Sequence, residues 1–182
     1  DMDFEAFINT IPSDCFKQVI LISSTGIYKE SNQAINENSK EIKTEGALFR
    51  IERICQLKFR KFLVILRLGG LIGPGRNPVN FLTSPRVLQN PRGKINLVHS
   101  DDCAAIIEKI IEKELVNKCY NVVMDDHPTK KEFYATVAFM AGKKEPKFDI
   151  NGRRYFKIVS NERIKKELDF SFIDIFDAVR SF

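Results

Sequence analysis

Hydroxyl side chains and glycines follow two apolar runs of this sequence, and both residue types are common in ligand sites. Ser23, Ser24 and Thr25 follow the apolar residues 19–22, and a glycine-rich turn begins at Gly69, directly after residues 62–68. Runs of this length and composition are typical of strands buried in a parallel sheet. Ligands bind beyond the carboxyl ends of such strands, so the sequence predicts its chemistry after these two runs.

The glycine-rich turn reads GGLIGPGR and ends at Arg76, which could bind a phosphate. A guanidinium offers two parallel hydrogen bonds to one phosphate or carboxylate group. The alternatives are a solvated loop arginine and glycines that only permit the turn.

Histidines, aspartates and cysteines do not form a metal-binding pattern. The four cysteines are far apart and show no ligand spacing, which predicts reduced thiols: Cys15, Cys55, Cys103 and Cys119. His99 could act as a base, but a structural histidine before a helix start fits its position better. Asp101 and Asp102 are predicted at that helix start, and His127 is assigned no function.

Composition favours one cytoplasmic domain. The chain has 182 residues, of which 43% are hydrophobic, and a net charge of +5. It contains no run of about 20 apolar residues and no signal-peptide pattern, so we expect no membrane partner. Its basic residues are dispersed and not interleaved with aromatic residues, so we expect no nucleic-acid partner. A protein that binds anionic nucleotides would carry the same charge.

Strands and helices alternate along the chain, which predicts an α/β fold with a mainly parallel sheet and flanking helices. Helical spacing of apolar residues, together with capping signals, defines seven predicted helices: 3–11, 44–58, 78–89, 101–111, 129–142, 161–168 and 173–180. Buried strands are predicted over 19–22, 62–68 and 120–124, and residues 94–98 are predicted to form a short strand or an extended segment. The helices after residue 128 are expected to form a small lobe at the carboxyl end of the sheet.

The motifs in these segments resemble those of extended short-chain dehydrogenases/reductases, the NAD(P)-dependent nucleotide-sugar epimerases and dehydratases. VILISSTGIY from Val19 is similar to their strand and active-site turn, and INENS from Ile35 to their acidic loop. RLGGLIGPGR from Arg67 is similar to their next strand and substrate loop. NLVHSDD from Asn96 and YNV from Tyr120 follow in the family's order. The resemblance extends from about residue 17 to the end.

The resemblance implies a Rossmann-like sheet, with residues 1–127 as a partial NAD(P)-binding domain and residues 128–182 as a small helical lobe on the substrate side. It implies NAD or NADP as cofactor and a nucleotide-sugar or similar small molecule as ligand. Ser24 matches the catalytic serine position, with a backbone-capping serine as the alternative. The other implied contacts are with the cofactor, through Ser23, Ser24, Thr25, Gly69, Gly70 and Leu71, and with the substrate, through Arg76 and Asn96.

Two family motifs are absent from the sequence. The phosphate-binding GxxGxxG belongs to the first strand–helix unit, so we expect that the amino-terminal βαβ units, on the order of 90 residues, are missing from a chain that begins at Asp1. Without that motif we expect no tight NAD(P) binding. The catalytic Tyr-x-x-x-Lys is also absent, because aligning Glu52 with the family's helix glutamate places Thr44 and Leu48 at those positions.

Three functional hypotheses remain open at this stage. The first is a nucleotide-sugar epimerase, dehydratase or reductase whose proton transfer does not use the Tyr/Lys pair. The second is a catalytically silent relative that senses a ligand or binds a partner. The third is a remnant that folds only as an oligomer, because half a sheet leaves an open edge. The helix over 44–58 occupies the family's dimer-forming position, so we expect a homodimer.

Overall fold

A computed structural model of the chain describes residues 4–12, 15–82, 87–151 and 155–180. The strands are β1 (Val19–Ser24), β2 (Ala34–Ile35), β3 (Leu63–Leu68), β4 (Gly70–Ile72), β5 (Leu97–His99), β6 (Lys118–Val122) and β7 (Ile158–Val159). The α-helices are α1 (Phe4–Thr10), α2 (Ala47–Phe59), α3 (Ser100–Glu112), α4 (Lys130–Met140), α5 (Glu162–Leu168) and α6 (Ile175–Arg180).

The main sheet contains β1, β3 and β6, in that order and all parallel. Two further parallel pairs, β4 with β5 and β2 with β7, extend the structure beyond its carboxyl end. Parallel pairing requires crossovers through helices, which α2 and α3 supply. The predicted α/β class with a mainly parallel sheet is therefore confirmed.

Helices cover both faces of this sheet. The side chains of β3 alternate between the two faces and pack against the helices on each. Leu63 and Ile65 pack with α1 and α2, whereas Val64 and Leu66 pack with α3 and α5. On α3, Ile106 and Ile110 are fully buried, and each such side chain contributes roughly 1.5–3 kcal/mol of transfer free energy. A separate apolar cluster joins β4, α4 and α6.

Local signals in the sequence explain several helix boundaries. The Thr129 and Glu132 side chains form the predicted capping box at the start of α4, and Gly142 follows its end with φ of +60°. His99 caps α3, its Nδ1 accepting the Asp101 amide hydrogen at 3.2 Å. The structural interpretation of His99 therefore matches its geometry.

Two secondary-structure predictions were wrong. The helix predicted over 78–89 is a single 3₁₀ turn, Pro78–Phe81, and residues 87–89 are not helical, while residues 83–86 lie outside the described residues. The strand over 19–22 was predicted to be buried on both faces, but Ile22 is 50% exposed. β1 is the outer strand of the sheet and no described strand pairs with its other edge, so its side chains have fewer neighbours.

The opposite edge of the sheet, along β6, is closed by side chains. The Asn121 amide donates to Glu37 Oε1 at 2.8 Å, and Arg163 Nη1 donates to the Cys119 carbonyl at 3.1 Å. Glu37 and Arg163 are themselves 3.7 Å apart. These contacts satisfy backbone groups that a further strand would otherwise bind.

Candidate functional site

The largest concentration of predicted ligand-binding residues surrounds a cavity of about 520 Å³ between β4, β5, the 75–80 loop and α4. We call it the β4–β5 cavity. Four of the eight predicted site residues line it: Gly70, Leu71, Arg76 and Asn96. Its size is in the range of small-molecule sites.

Glycines are required where β3 leads into β4, because the backbones approach closely there. A Cβ on Gly69 would lie 2.7 Å from the Asn96 carbonyl oxygen, and one on Gly70 would lie 2.8 Å from Leu97 Cδ2. The Gly70 amide also donates to the Asn96 carbonyl at 2.7 Å. Gly69 is therefore required by the close approach of two backbones, and Gly70 lies in the cavity wall.

The cavity is cationic. Arg76, Lys94 and Lys130 line it, and no Asp or Glu is among its described lining residues. Arg76 is exposed at the loop, and none of the three forms a salt bridge within the described ranges. The arrangement favours an anionic ligand.

The amino terminus of α4 does not contribute free amides to this cavity. The Thr129 and Glu132 amides are held by the capping box, and those of Lys130 and Lys131 donate to backbone carbonyls of Gly93 and Pro91. An anion in the cavity would therefore be bound by side chains.

Aromatic rings form the apolar part of the cavity. Phe133 and Tyr134 meet edge to face with ring centroids 5.2 Å apart, and Phe133 is almost fully buried. Burial raises the pKa of the Tyr134 hydroxyl. Such rings can stack on a base or on the apolar face of a sugar.

Asn96 lies in the cavity wall with its carboxamide already bound. Its Nδ2 donates to the Lys157 carbonyl at 3.0 Å, and its Oδ1 accepts the Val159 amide hydrogen at 2.8 Å. Asn96 thus joins β5 to β7, and its contact with a substrate stays a prediction.

The hydroxyl residues after β1 lie outside this cavity. Ser23 is buried and donates to Glu52 Oε1 at 2.7 Å. Ser24 accepts the Gly26 amide hydrogen at 3.0 Å and caps the 3₁₀ turn Thr25–Ile27, which is the capping geometry anticipated as its alternative. A hydroxyl that accepts one bond still has a proton to donate, so its catalytic assignment stays a prediction.

A buried polar network connects all three strands of the main sheet. Arg67 binds both oxygens of Glu52, through Nε at 3.0 Å and Nη2 at 2.6 Å, and donates from Nη1 to the Tyr28 hydroxyl at 2.7 Å. Tyr28 in turn donates to Asn121 Oδ1 at 2.8 Å. With Ser23, these residues link the carboxyl ends of β1, β3 and β6.

Electrostatics in this network follow from burial and pairing. Burial is the largest single influence and would lower the pKa of Arg67, but the hydrogen bonds to Glu52, together with the charge interactions with Cys119, Tyr28 and Glu52, raise that pKa overall. Burial raises the pKa of Tyr28 to about 12, although the neighbouring Arg67 opposes the shift. A signal for the network was present in the sequence: Arg67 interrupts an apolar strand, and Glu52 lies on the apolar face of its helix.

The positions of the missing Tyr and Lys contain no acid or base. Thr44 precedes α2 and is exposed, and Leu48 packs against the apolar cluster around Ile27. Two lysines that the sequence did not indicate lie nearby. Lys43 Nζ donates to the Gly26 carbonyl at 3.0 Å, and Lys157 Nζ donates to the Tyr28 carbonyl at 3.1 Å.

Lys94, Lys130, Phe133 and Tyr134 were also missed as site residues. They come from separate segments, and no spacing in the sequence relates them to Arg76. Among the described residues, no cluster of three His, Cys, Asp or Glu side chains could hold a metal ion. In the same part of the chain, no helix has the length and apolar character needed to cross a membrane.

Comparisons with known proteins agree with this architecture, although no protein-family model matches the chain. Protein YeeZ of Escherichia coli K12 is 28% identical over 160 residues, which is 85% of this chain and 58% of YeeZ. The chain therefore spans less than two thirds of that relative's length.

Solved structures show the same fold. A candidate NAD-dependent epimerase/dehydratase from Methylobacillus flagellatus superposes with a TM-score of 0.76 at 22% identity, covering 91% of this chain and 63% of that one. UDP-glucuronic acid 4-epimerase from Bacillus cereus, in complex with NAD, gives 0.71 at 16% identity, covering 90% and 59%. This chain has the Rossmann-like fold of NAD-dependent epimerase/dehydratase-type proteins.

Proposed function

We propose that this chain is part of an NAD(P)-dependent protein of the nucleotide-sugar epimerase, dehydratase or reductase type. The observation that supports this most is the cationic β4–β5 cavity, which lies beyond the carboxyl end of the sheet. Lys94, Lys130 and Arg76 would bind the diphosphate of a nucleotide sugar, and Tyr134 would pack against its base or sugar.

The residues present fit one end of NAD(P). Bound NAD(P) would supply the hydride acceptor and donor. Ser24 would contribute a hydroxyl proton to the ligand at the end of β1, and Gly69 leaves the backbone after β3 without a side chain. The chain contains no GxxGxxG for the pyrophosphate.

Proton transfer would need other groups, because residues 44 and 48 are threonine and leucine and not the Tyr and Lys of the family motif. Lys157 is a candidate because its ammonium donates to the carbonyl of Tyr28, the residue that follows the 3₁₀ turn after β1. Burial, with the charge of Lys43, lowers the pKa of Lys157. A lysine with a lowered pKa exchanges protons more readily near neutral pH.

Nucleotide binding tests the proposed ligand. We expect UDP or a UDP-sugar to bind by calorimetry, and Arg76→Gln to weaken binding about tenfold or more, since a charge-assisted hydrogen bond contributes roughly 1.5–3 kcal/mol. Arg50→Gln, an exposed arginine on α2, is the matched control. Equal affinity in Arg76→Gln and wild type would refute a phosphate contact at Arg76.

Cofactor binding tests the second half of the proposal. A fluorescence titration of this chain with NADH is expected to show no tight binding. A Kd below about 10 μM, or roughly −7 kcal/mol, would contradict the assignment of cofactor affinity to a GxxGxxG segment.

A silent ligand-sensing or interaction protein is the second candidate, and one observation favours it. Thr44 lies outside α2 and Leu48 is packed among apolar side chains, so the usual proton relay has no equivalent here. Turnover of a panel of nucleotide sugars by the full-length protein would distinguish the two candidates. Ligand binding without turnover would support the sensor.

A further inference from the structure

We propose that a groove between α2 and α5 binds an acidic peptide segment of another protein. This α2–α5 groove has a volume of about 610 Å³ and shares no lining residue with the β4–β5 cavity. The proposal does not depend on the proposed enzymatic function.

The floor of the groove is apolar. It consists of Leu63 and Ile65 from β3, which are almost fully buried, and the partly exposed Cys119 from β6. At the rim, Leu57 is 75% exposed. An apolar side chain of a partner could be buried here between the sheet and α2.

The walls of the groove are basic. Arg53 and Arg60 come from α2, and neither forms a salt bridge in the described part of the chain. On the other side, Lys118 is 2.7 Å from Glu167, and Arg163 is 3.7 Å from Glu37. The two α2 arginines are therefore the cations left for a partner's carboxylates.

The occupant would bind through side chains and not as an added strand. Two outward backbone groups of β6 are already bound, because Glu37 accepts from the Asn121 amide and Arg163 donates to the Cys119 carbonyl. A helix or extended segment with acidic side chains around one apolar residue matches this surface.

The side chains of the groove favour this occupant over a single-stranded nucleic acid. No aromatic residue is among the groove's described lining residues, so bases have no ring to stack on.

The charge of this surface disfavours a second copy of this chain. The outward face of α2 carries Arg50, Arg53 and Arg60, all exposed. Pairing two α2 helices about a two-fold axis would bring these like charges together. The homodimer expected from the sequence is therefore an alternative to peptide binding, and the experiment below distinguishes the two.

The test is an NMR titration of the ¹⁵N-labelled chain with a synthetic peptide of glutamates around a single leucine. We expect shifts confined to residues near Leu57, Asn38 and Cys119. The double variant Arg53→Glu/Arg60→Glu should weaken binding at least tenfold, and Leu57→Ser should weaken it several-fold. The matched control Lys143→Glu/Lys144→Glu changes the same charge on an exposed segment elsewhere and should leave affinity unchanged.

Three outcomes would overturn the proposal. One is equal loss of affinity in the control double variant, which would indicate general attraction to a basic protein. Another is equal binding of a single-stranded RNA of matched charge in the same groove. The last is a dimer, detected by light scattering, that Leu57→Ser dissociates.

Discussion

The two edges of the main sheet differ in how they end. Along β6, Glu37 and Arg163 bind one outward amide and one outward carbonyl and place charged side chains against the edge. Along β1, no described strand or side-chain pair does this, and Ile22 remains half exposed. Charged residues at an edge prevent pairing with another strand, whereas an apolar, unpaired edge permits it. One edge is thus a boundary of the fold, and the other is a surface able to bind.

The largest expected effect comes from breaking the buried polar network around Arg67, which connects the two edge strands through β3. Arg67→Met should lower the free energy of unfolding by about 3–5 kcal/mol, because it leaves the Glu52 carboxylate buried without its partner. Urea denaturation followed by circular dichroism measures this change.

A double variant sharpens that result. Arg67→Met with Glu52→Leu removes both charges and should recover part of the loss, since no unpaired carboxylate remains. Arg50→Met on the exposed face of α2 controls for removing an arginine. If Arg67→Met unfolds at the wild-type urea concentration, the network does not stabilise the sheet.

Opening the closed edge should have the next largest effect. Glu37→Ala leaves the Asn121 amide without its acceptor and should cost about 1–3 kcal/mol. Glu41→Ala, an exposed glutamate in the same loop, is the matched control. Equal stability of the two variants would show that Glu37 is dispensable at this edge.

Raising the pH tests the Tyr28 hydroxyl, which is part of the buried polar network that connects the two edges. The pKa of Tyr28 is raised to about 12 in the folded protein from an ordinary value of 10. The unfolded chain therefore loses this proton first, so the stability contribution is complete below pH 10 and is lost as pH rises through 12. Tyr28→Phe should show a shallower fall in stability above pH 10, and an unchanged slope would contradict the shift.

Charging the open edge should affect association more than stability. Ile22→Lys should reduce self-association of this chain in light scattering, with a change of roughly 0.5 kcal/mol or less in unfolding free energy. Ile111→Lys, on an exposed position of α3, is the control and should not reduce self-association. The same decrease in both variants would mean that β1 is not the associating edge.

Most of the fold could be predicted from the sequence, because its signals are local. The capping box at Thr129 and the apolar spacing of α3 lie within one or a few helical turns. The exposure of Ile22 could not be predicted, because an apolar sequence does not show whether its strand has one or two neighbouring strands. The 3₁₀ turn at Pro78–Phe81 was predicted as a longer helix for a similar reason. The spacing of apolar residues does not show where a helix ends.

The candidate site was predictable only in part. Gly70 and Arg76 were found because they follow a buried strand, a rule that depends on topology alone. Lys94 and Lys130 reach the same cavity from distant segments, and only the packing of α4 brings them there. Tyr134 was missed because aromatic residues at helical spacing usually indicate core packing.

The glycine pair at the start of β4 has a consequence for how this site could change. Any residue larger than glycine at Gly69 would collide with the Asn96 carbonyl, and at Gly70 with Leu97. An added methyl group at Gly69 would therefore force two backbone segments apart, whereas one at Gly70 would meet only the movable end of the Leu97 side chain. Of these two neighbouring positions, the one that lines the cavity is therefore the one where an alanine could be accommodated by a shift of a single side chain.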